Sequence, residues 1–161
     1  MEKQLDALVE KLQAVRADTL RMMDALAESE WTRPGIVGEW TARDLVVHFI
    51  SAERGMTKLA QRFAQGESPK TAPDFNIDFY NRRQIEKRAQ MTLAEIRAEL
   101  ETSRRELLEF VKGLSAEQLA RRGEHPVYGE MSLEGLLNVI YTHERDHLNA
   151  WRAWREEHSK A

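Results

Sequence analysis

The sequence of 161 residues contains no cysteine. That excludes disulfides, thiolate-held zinc, iron–sulfur clusters and a thiol nucleophile supplied by the protein itself. No apolar run approaches the roughly 20 residues needed to cross a bilayer. The opening MEKQLDALVEKL has neither the apolar block nor the small-residue cleavage site of a secretory signal, so a cytoplasmic location is expected. Charge of one sign is lacking too: 24 Lys and Arg stand against 27 Asp and Glu, a formal charge of −3. So even a balance gives no general attraction to nucleic acid or anionic lipid, and neither is expected as a partner. Proline is scarce, and none of the four interrupts the longest periodic segments. Low-complexity tracts and fixed-period repeats are absent.

What is present is helical periodicity, with 42% hydrophobic and 32% charged residues. That is enough apolar material for one core, so a single domain over 1–161 is expected. Leu5, Leu8, Leu12, Val15, Thr19, Met23 and Leu26 recur at spacings of three and four, which predicts a helix to about Glu28. A second helix starts at Thr41, where Thr41-Ala-Arg-Asp44 fits a capping box. Its stripe runs through Leu45, Phe49, Ala52, Met56, Leu59 and Phe63. The stretch from Phe75 to Gln90 is mixed, with Phe75, Phe79 and Ile85 as anchors for a short helix or an ordered loop. Thr92-Leu-Ala-Glu95 caps a third long helix, and Ser115-Ala-Glu-Gln118 opens a short one. Ser132 is the N-cap of the last, whose stripe is Leu133, Leu136, Leu137, Ile140, Leu148, Trp151 and Trp154. Alternating strand patterns are not evident anywhere. Four long amphipathic helices predict an all-α four-helix bundle.

Of the five histidines, His125 and His158 read as surface residues. His143 and His147 differ: spaced i, i+4, they share one helix face, and that face adjoins the apolar stripe at Ile140 and Trp151. Polar rings at the edge of a core cost free energy unless each has a partner. A divalent metal is one such partner, because neutral imidazole binds zinc, nickel or iron. His48 lies similarly, three residues after Leu45. Helices in a bundle pack about 8–10 Å apart, so three inward histidines can meet at one ion. Three ligands would leave an open position, the mark of a reactive site. Hydrogen-bonded core histidines are the other reading of the same spacing.

Residues 143–147 also spell His-Glu-Arg-Asp-His, the H-E-x-x-H pattern of zinc proteases. Alanine stands at both positions where the longer protease motif requires glycine and histidine, Ala150 and Ala153. A protease is therefore not expected. Glu144 falls in the apolar stripe and is a candidate general base, an orienting partner for a ligand, or a carboxylate paired with Arg or Lys across the bundle. Arg82, Arg83, Lys87 and Arg88 form a basic cluster that reads as a solvated helix face.

Gly38-Glu-Trp40-Thr41, Asp44-Leu45-Val-Val-His48, Asp78-Phe-Tyr-Asn81 and Tyr141-Thr-His143-Glu144-Arg-Asp-His147-Leu148 together resemble the DinB-like superfamily, in particular the branch with the mycothiol-dependent isomerases. The resemblance covers nearly the whole chain, and the joint occurrence of Trp-Thr, His48 and the later histidine pair is its specific part. It implies an up-down-down-up bundle that holds a divalent metal on His48, His143 and His147. It also implies activation of a low-molecular-weight thiol for attack on an electrophile, and pairing as a homodimer. The absence of cysteine fits, since a thiol at the metal must then come from a small molecule. Hydrolysis by metal-activated water with Glu144 as base, and a non-catalytic stress-response or binding protein, are the alternatives.

Overall fold

The computed structural model describes residues 2–159. Its elements in order are α1 (Glu2–Ala25), a 3-10 turn (Glu28–Glu30), α2 (Ala42–Ala64), α3 (Ile77–Lys87), α4 (Leu93–Lys112), α5 (Ala116–Ala120), β1 (Arg122–His125), β2 (Gly129–Ser132) and α6 (Leu133–Ser159). The capping chemistry sets the starts. Thr41 Oγ1 accepts from the Asp44 amide at 3.1 Å while the Asp44 carboxylate accepts from the Thr41 amide at 3.0 Å. Thr92 with Glu95, and Ser115 with Gln118, form the same reciprocal pair. Ser132 Oγ accepts from the Gly135 amide at the head of α6.

Cross-helix pairs fix the topology. Gln4 meets Glu134 and Arg155 reaches the Ala25 carbonyl, so α1 and α6 run parallel. Arg97 meets Asp24 while Arg104 reaches the Leu12 carbonyl, so α1 and α4 run antiparallel. Arg43 bonds the Met91 carbonyl and Glu53 bonds Ser103, so α2 runs parallel to α4. The four long helices therefore follow the expected up-down-down-up path. None of the described helices is long and apolar enough to cross a membrane.

The core has two apolar blocks. One contains Val15, Leu45, Phe49, Ile96, Leu100, Trp151 and Trp154. The other contains Leu12, Phe63, Leu107, Leu133, Leu137 and Ile140.

Two expectations need correction. The first helix ends at Ala25, three residues early, because the chain turns through the 3-10 segment. Residues 122–132 form an antiparallel hairpin, with Gly123 opposite Met131 and His125 opposite Gly129. Its strands are four residues each, too short for alternation to register, and Gly123 faces inward with no side chain to mark the face. That glycine is required by contact: a Cβ there would collide with the Phe63 ring. The mixed segment resolves as α3, capped by the Asn76 side chain on the Phe79 amide. Phe79 does not anchor it, being 55% exposed; the partly buried Ile85 does.

Candidate metal centre

His48 projects from α2, and His143 and His147 from α6. One nitrogen from each lies within 4.8 Å of the others. The Nε2 atoms of His48 and His143 are 2.9 Å apart, and the ring centroids are 4.6 to 5.2 Å apart. His48 is buried and the other two are half-buried. Trp40 lies against His48 with centroids at 4.7 Å, and Phe49 lies at 6.1 Å from His147. A tight turn sets Trp40 in place: Gly35 and Ile36 amides both donate to the Trp40 carbonyl, and the Trp40 amide donates to Val37. Gly38 in that turn has φ +56°, a left-handed conformation that glycine adopts without strain.

The donor set suits a divalent ion. Burial pushes the His48 pKa down to about 2, with the neighbouring imidazoles adding to the effect. Burial first, then His147, takes His143 down to about 4. His147 is lowered by burial as well. All three rings are therefore neutral near pH 7, the form in which imidazole binds metal. Two ligands on a tetrahedral ion with bonds of about 2.1 Å stand about 3.4 Å apart. The observed spread, from 2.9 Å to within 4.8 Å, differs from that by small ring movements. His48 Nδ1 is buried with no hydrogen-bond partner among the described residues, so the ring is held by a protein group only through its Nε2 contact with His143, the nitrogen that an ion between the rings would take instead.

Glu144 occupies a different environment from its neighbour His143. Its Oε1 accepts from Arg16 Nε at 2.8 Å and from the Thr19 hydroxyl at 2.7 Å. Its Oε2 accepts from Arg16 Nη2 at 3.1 Å and from Arg104. Glu53 completes the cluster, accepting from Arg104 Nε at 2.7 Å, the Ser103 hydroxyl at 2.7 Å and Arg16 Nη2 at 3.2 Å. All four charged side chains are buried, at 2 to 4% exposure. Burial alone would raise the Glu144 pKa, but the two guanidiniums outweigh it and hold it at about 2. A carboxylate with both oxygens occupied and so low a pKa is a weak base. Its place is the ion pair across the bundle.

Arg16, Glu53 and Arg104 did not stand out in the sequence reading, although a signal exists. Each lies four residues after one stripe residue and three before the next: Leu12 and Thr19, Phe49 and Met56, Leu100 and Leu107. Two other histidines also differ from expectation. His125 is 8% exposed, with Nδ1 accepting the Val127 and Tyr128 amides. His158 is half-buried, stacked on Trp154. In the basic cluster, Arg82, Arg83 and Lys87 are exposed and Arg83 pairs with Glu86, as on a solvated helix face, whereas Arg88 just beyond α3 is half-buried against Glu99 and Gln84.

The family model described as the DinB superfamily matches residues 11–150. The chain belongs to the DinB superfamily. Solved structures agree with the DinB assignment at the level of fold. YfiT from Bacillus subtilis, described as a probable metal-dependent hydrolase with an unusual four-helix bundle topology, superposes with a TM-score of 0.83 at 18% identity, over 99% of this chain and 90% of that one. The four-helix bundle protein TT2238 superposes at 0.68 and 23% identity, over 92% and 98%. Mycothiol-dependent maleylpyruvate isomerase superposes at 0.75 and 12% identity; 91% of this chain is covered, and 60% of the isomerase. No curated protein matches in sequence.

Proposed function

We propose that this protein is a divalent-metal-dependent S-transferase that uses a low-molecular-weight thiol against an electrophile. The observation that carries the reading is the convergence of His48, His143 and His147 alone, with no fourth His, Asp or Glu in the group among the described residues. Three neutral ligands leave room for an exogenous one. When bound, a zinc, nickel or iron ion supplies a Lewis acid that lowers the pKa of a thiol at its open position. The chain contributes no thiol of its own. Its residues hold and shield the site: the i, i+4 pair on α6 and His48 on α2 bring the donors together, and Trp40 and Phe49 cover the rings.

A hydrolase reading draws support from the likeness to YfiT. In it the ion would activate water without the help of Glu144, which is held by Arg16, Arg104 and Thr19. The hydrolase reading thereby loses the base that the sequence offered it, and thiol transfer, which used none, loses nothing; on that ground transfer is favoured. The test begins with metal content of tag-free protein by plasma mass spectrometry, beside His48→Ala. Metal-loaded protein is then incubated with 1-chloro-2,4-dinitrobenzene and glutathione, bacillithiol or mycothiol. Consumption that requires both thiol and metal is expected, and it disappears in His48→Ala. Thiol-independent cleavage of an ester substrate would replace this reading with hydrolysis. Inertness of the loaded protein in both assays would replace it with a non-catalytic binding role.

A further inference from the structure

The contact between His48 and His143 determines where their protons sit. Both rings are neutral near pH 7, so each carries one N–H. Their Nε2 atoms are 2.9 Å apart, which requires one to donate and the other to accept. His48 Nδ1 is buried and has no partner among the described residues. A proton there would be an orphaned donor in the interior, which is rare and costly. The His48 proton therefore belongs on Nε2, where it meets His143. His143 Nε2 is then the acceptor and carries no proton, and the proton of His143 sits on Nδ1.

The same ring lines a small cavity together with Glu53 and Glu144. The volume open there to water-sized spheres is about 10 Å³, close to the minimum that holds one water. Each carboxylate oxygen can accept two hydrogen bonds. Glu144 is full: Oε1 accepts from Arg16 and Thr19, and Oε2 from Arg16 and Arg104. Glu53 Oε2 is full as well, with Arg16 and Arg104. Glu53 Oε1 accepts only from the Ser103 hydroxyl, at 2.7 Å, among the described residues. Of the two carboxylates that border the cavity, only Glu53 has an acceptor site left.

We propose that Glu53 positions His143 through one water in this cavity, which accepts from His143 Nδ1–H and donates to Glu53 Oε1. The bare Nε2 of His143 is then preset for an ion before one arrives, as histidine ligands are commonly preset by a carboxylate or water on the other nitrogen. Glu53 acts through the water and the ring and is a positioning residue. Its purpose rests on the metal reading above; its hydrogen bonds do not.

Glu53→Gln reverses the direction of the bridge. Arg16 and Arg104 offer only donors, so the amide oxygen takes the place of Oε2 and the NH2 group that of Oε1. The amide then donates to the water, the water donates to Nδ1, and the His143 proton moves to Nε2, the nitrogen an ion needs. Glu144→Gln is the control. It removes the same charge from the same ion cluster, but Glu144 has no acceptor site to give the cavity. Long-range proton–nitrogen NMR of histidine-labelled, metal-free protein at pH 7 reports which nitrogen holds each proton, with His143 assigned by its absence from His143→Gln. Zinc affinity is read by competition with a chromogenic chelator. The parent and Glu144→Gln should show His143 as Nδ1–H, and Glu53→Gln should show it as Nε2–H. Zinc should bind about 10- to 100-fold more weakly to Glu53→Gln than to Glu144→Gln. Nε2–H on His143 in the parent, an unchanged tautomer in Glu53→Gln, or equal zinc affinity in the two variants would each overturn the proposal. If Glu53→Gln does not fold, a crystal structure of the parent decides. A water within hydrogen-bond distance of both His143 Nδ1 and Glu53 Oε1 supports the bridge, and a dry cavity overturns it. A parent that takes up no zinc would overturn the metal reading and leave the tautomer measurement standing.

Discussion

Replacing Glu144 by Gln keeps the shape of the side chain and removes one of two buried negative charges. The parent cluster is neutral: Arg16 and Arg104 face Glu53 and Glu144. In the variant, two guanidiniums share one carboxylate in the interior. The new amide NH2 also points a donor at Arg16 or Arg104, which have only donors to offer. Breaking a buried pair from one side costs about 3–5 kcal/mol. The pKa gives a similar figure: a lowering from 4.5 to about 2 corresponds to about 3 kcal/mol of stabilisation of the charged form. In a domain of this size about 1 kcal/mol moves Tm by roughly 2–4 °C, so a fall of roughly 6–20 °C is expected. The assay is thermal and urea unfolding of chelator-treated protein at pH 7, followed by circular dichroism. The sign of the pH dependence is fixed too. Because the folded pKa is depressed, the stabilisation is fully present above pH 4.5 and is lost as pH falls from 4.5 through about 2. The parent should show that acid slope, and Glu144→Gln should show it reduced. A variant within about 1 kcal/mol of the parent at pH 7 would refute the pairing role. Unchanged stability with abolished turnover would instead return Glu144 to the position of a general base.

The other predictions concern the site and the hairpin. Parent protein should hold about one zinc, nickel or iron per chain by plasma mass spectrometry, with loss in His48→Ala and His147→Ala and retention in His125→Ala. Equal loss in all three variants would remove the ligand assignment. Metal should persist in mildly acidic buffer, because His143 gains its proton only near pH 4 and His48 near pH 2 in the absence of metal. Release with a midpoint at or above pH 6.5, measured by dialysis across a pH series, would contradict those depressed values. Gly123→Ala drives a Cβ into the Phe63 ring and should destabilise by about 1–3 kcal/mol. A variant as stable as the parent in urea would show that β1 can lift off Phe63 at no cost.

The bundle was legible because its helices are long and their caps are explicit. Thr41 with Asp44 and Thr92 with Glu95 are visible as letters and appear as bonds. The His48, His143 and His147 grouping was legible in part: i, i+4 spacing on α6 needs no tertiary knowledge, but spacing alone left core histidines as an equal reading, and the family resemblance joined His48 to the pair that the fold brings beside it. His125 was not legible. Its burial follows from a hairpin whose strands are four residues each and whose contact with the core depends on the absence of a side chain at Gly123. Arg16, Glu53 and Arg104 were readable in principle as charges in apolar stripes. Single charges in stripes are commonly solvated at a helix edge, and only the third dimension shows that these three meet Glu144.

That meeting has a direction. Both arginines come from α1 and α4, and both carboxylates from α2 and α6, the two helices that carry the histidines. Glu53 lies five residues beyond His48, and Glu144 immediately follows His143. A small cavity lined by Phe49, Glu53, Met56, Ile140, His143 and Glu144 lies between cluster and site. The cluster has no net charge, yet its negative side faces the helices that hold the imidazoles. Oriented in this way it works against the burial that disfavours positive charge there: Glu144 raises the His143 pKa while burial and His147 lower it. The same field favours a cation held by the imidazoles, in an interior where such interactions are screened less than in water. Every guanidinium and carboxylate in the cluster has a cross-helix partner, so sliding one helix by a turn would strand a charge. The network therefore disfavours other registers of α2 against α6, the register on which convergence of His48 with His143 and His147 depends.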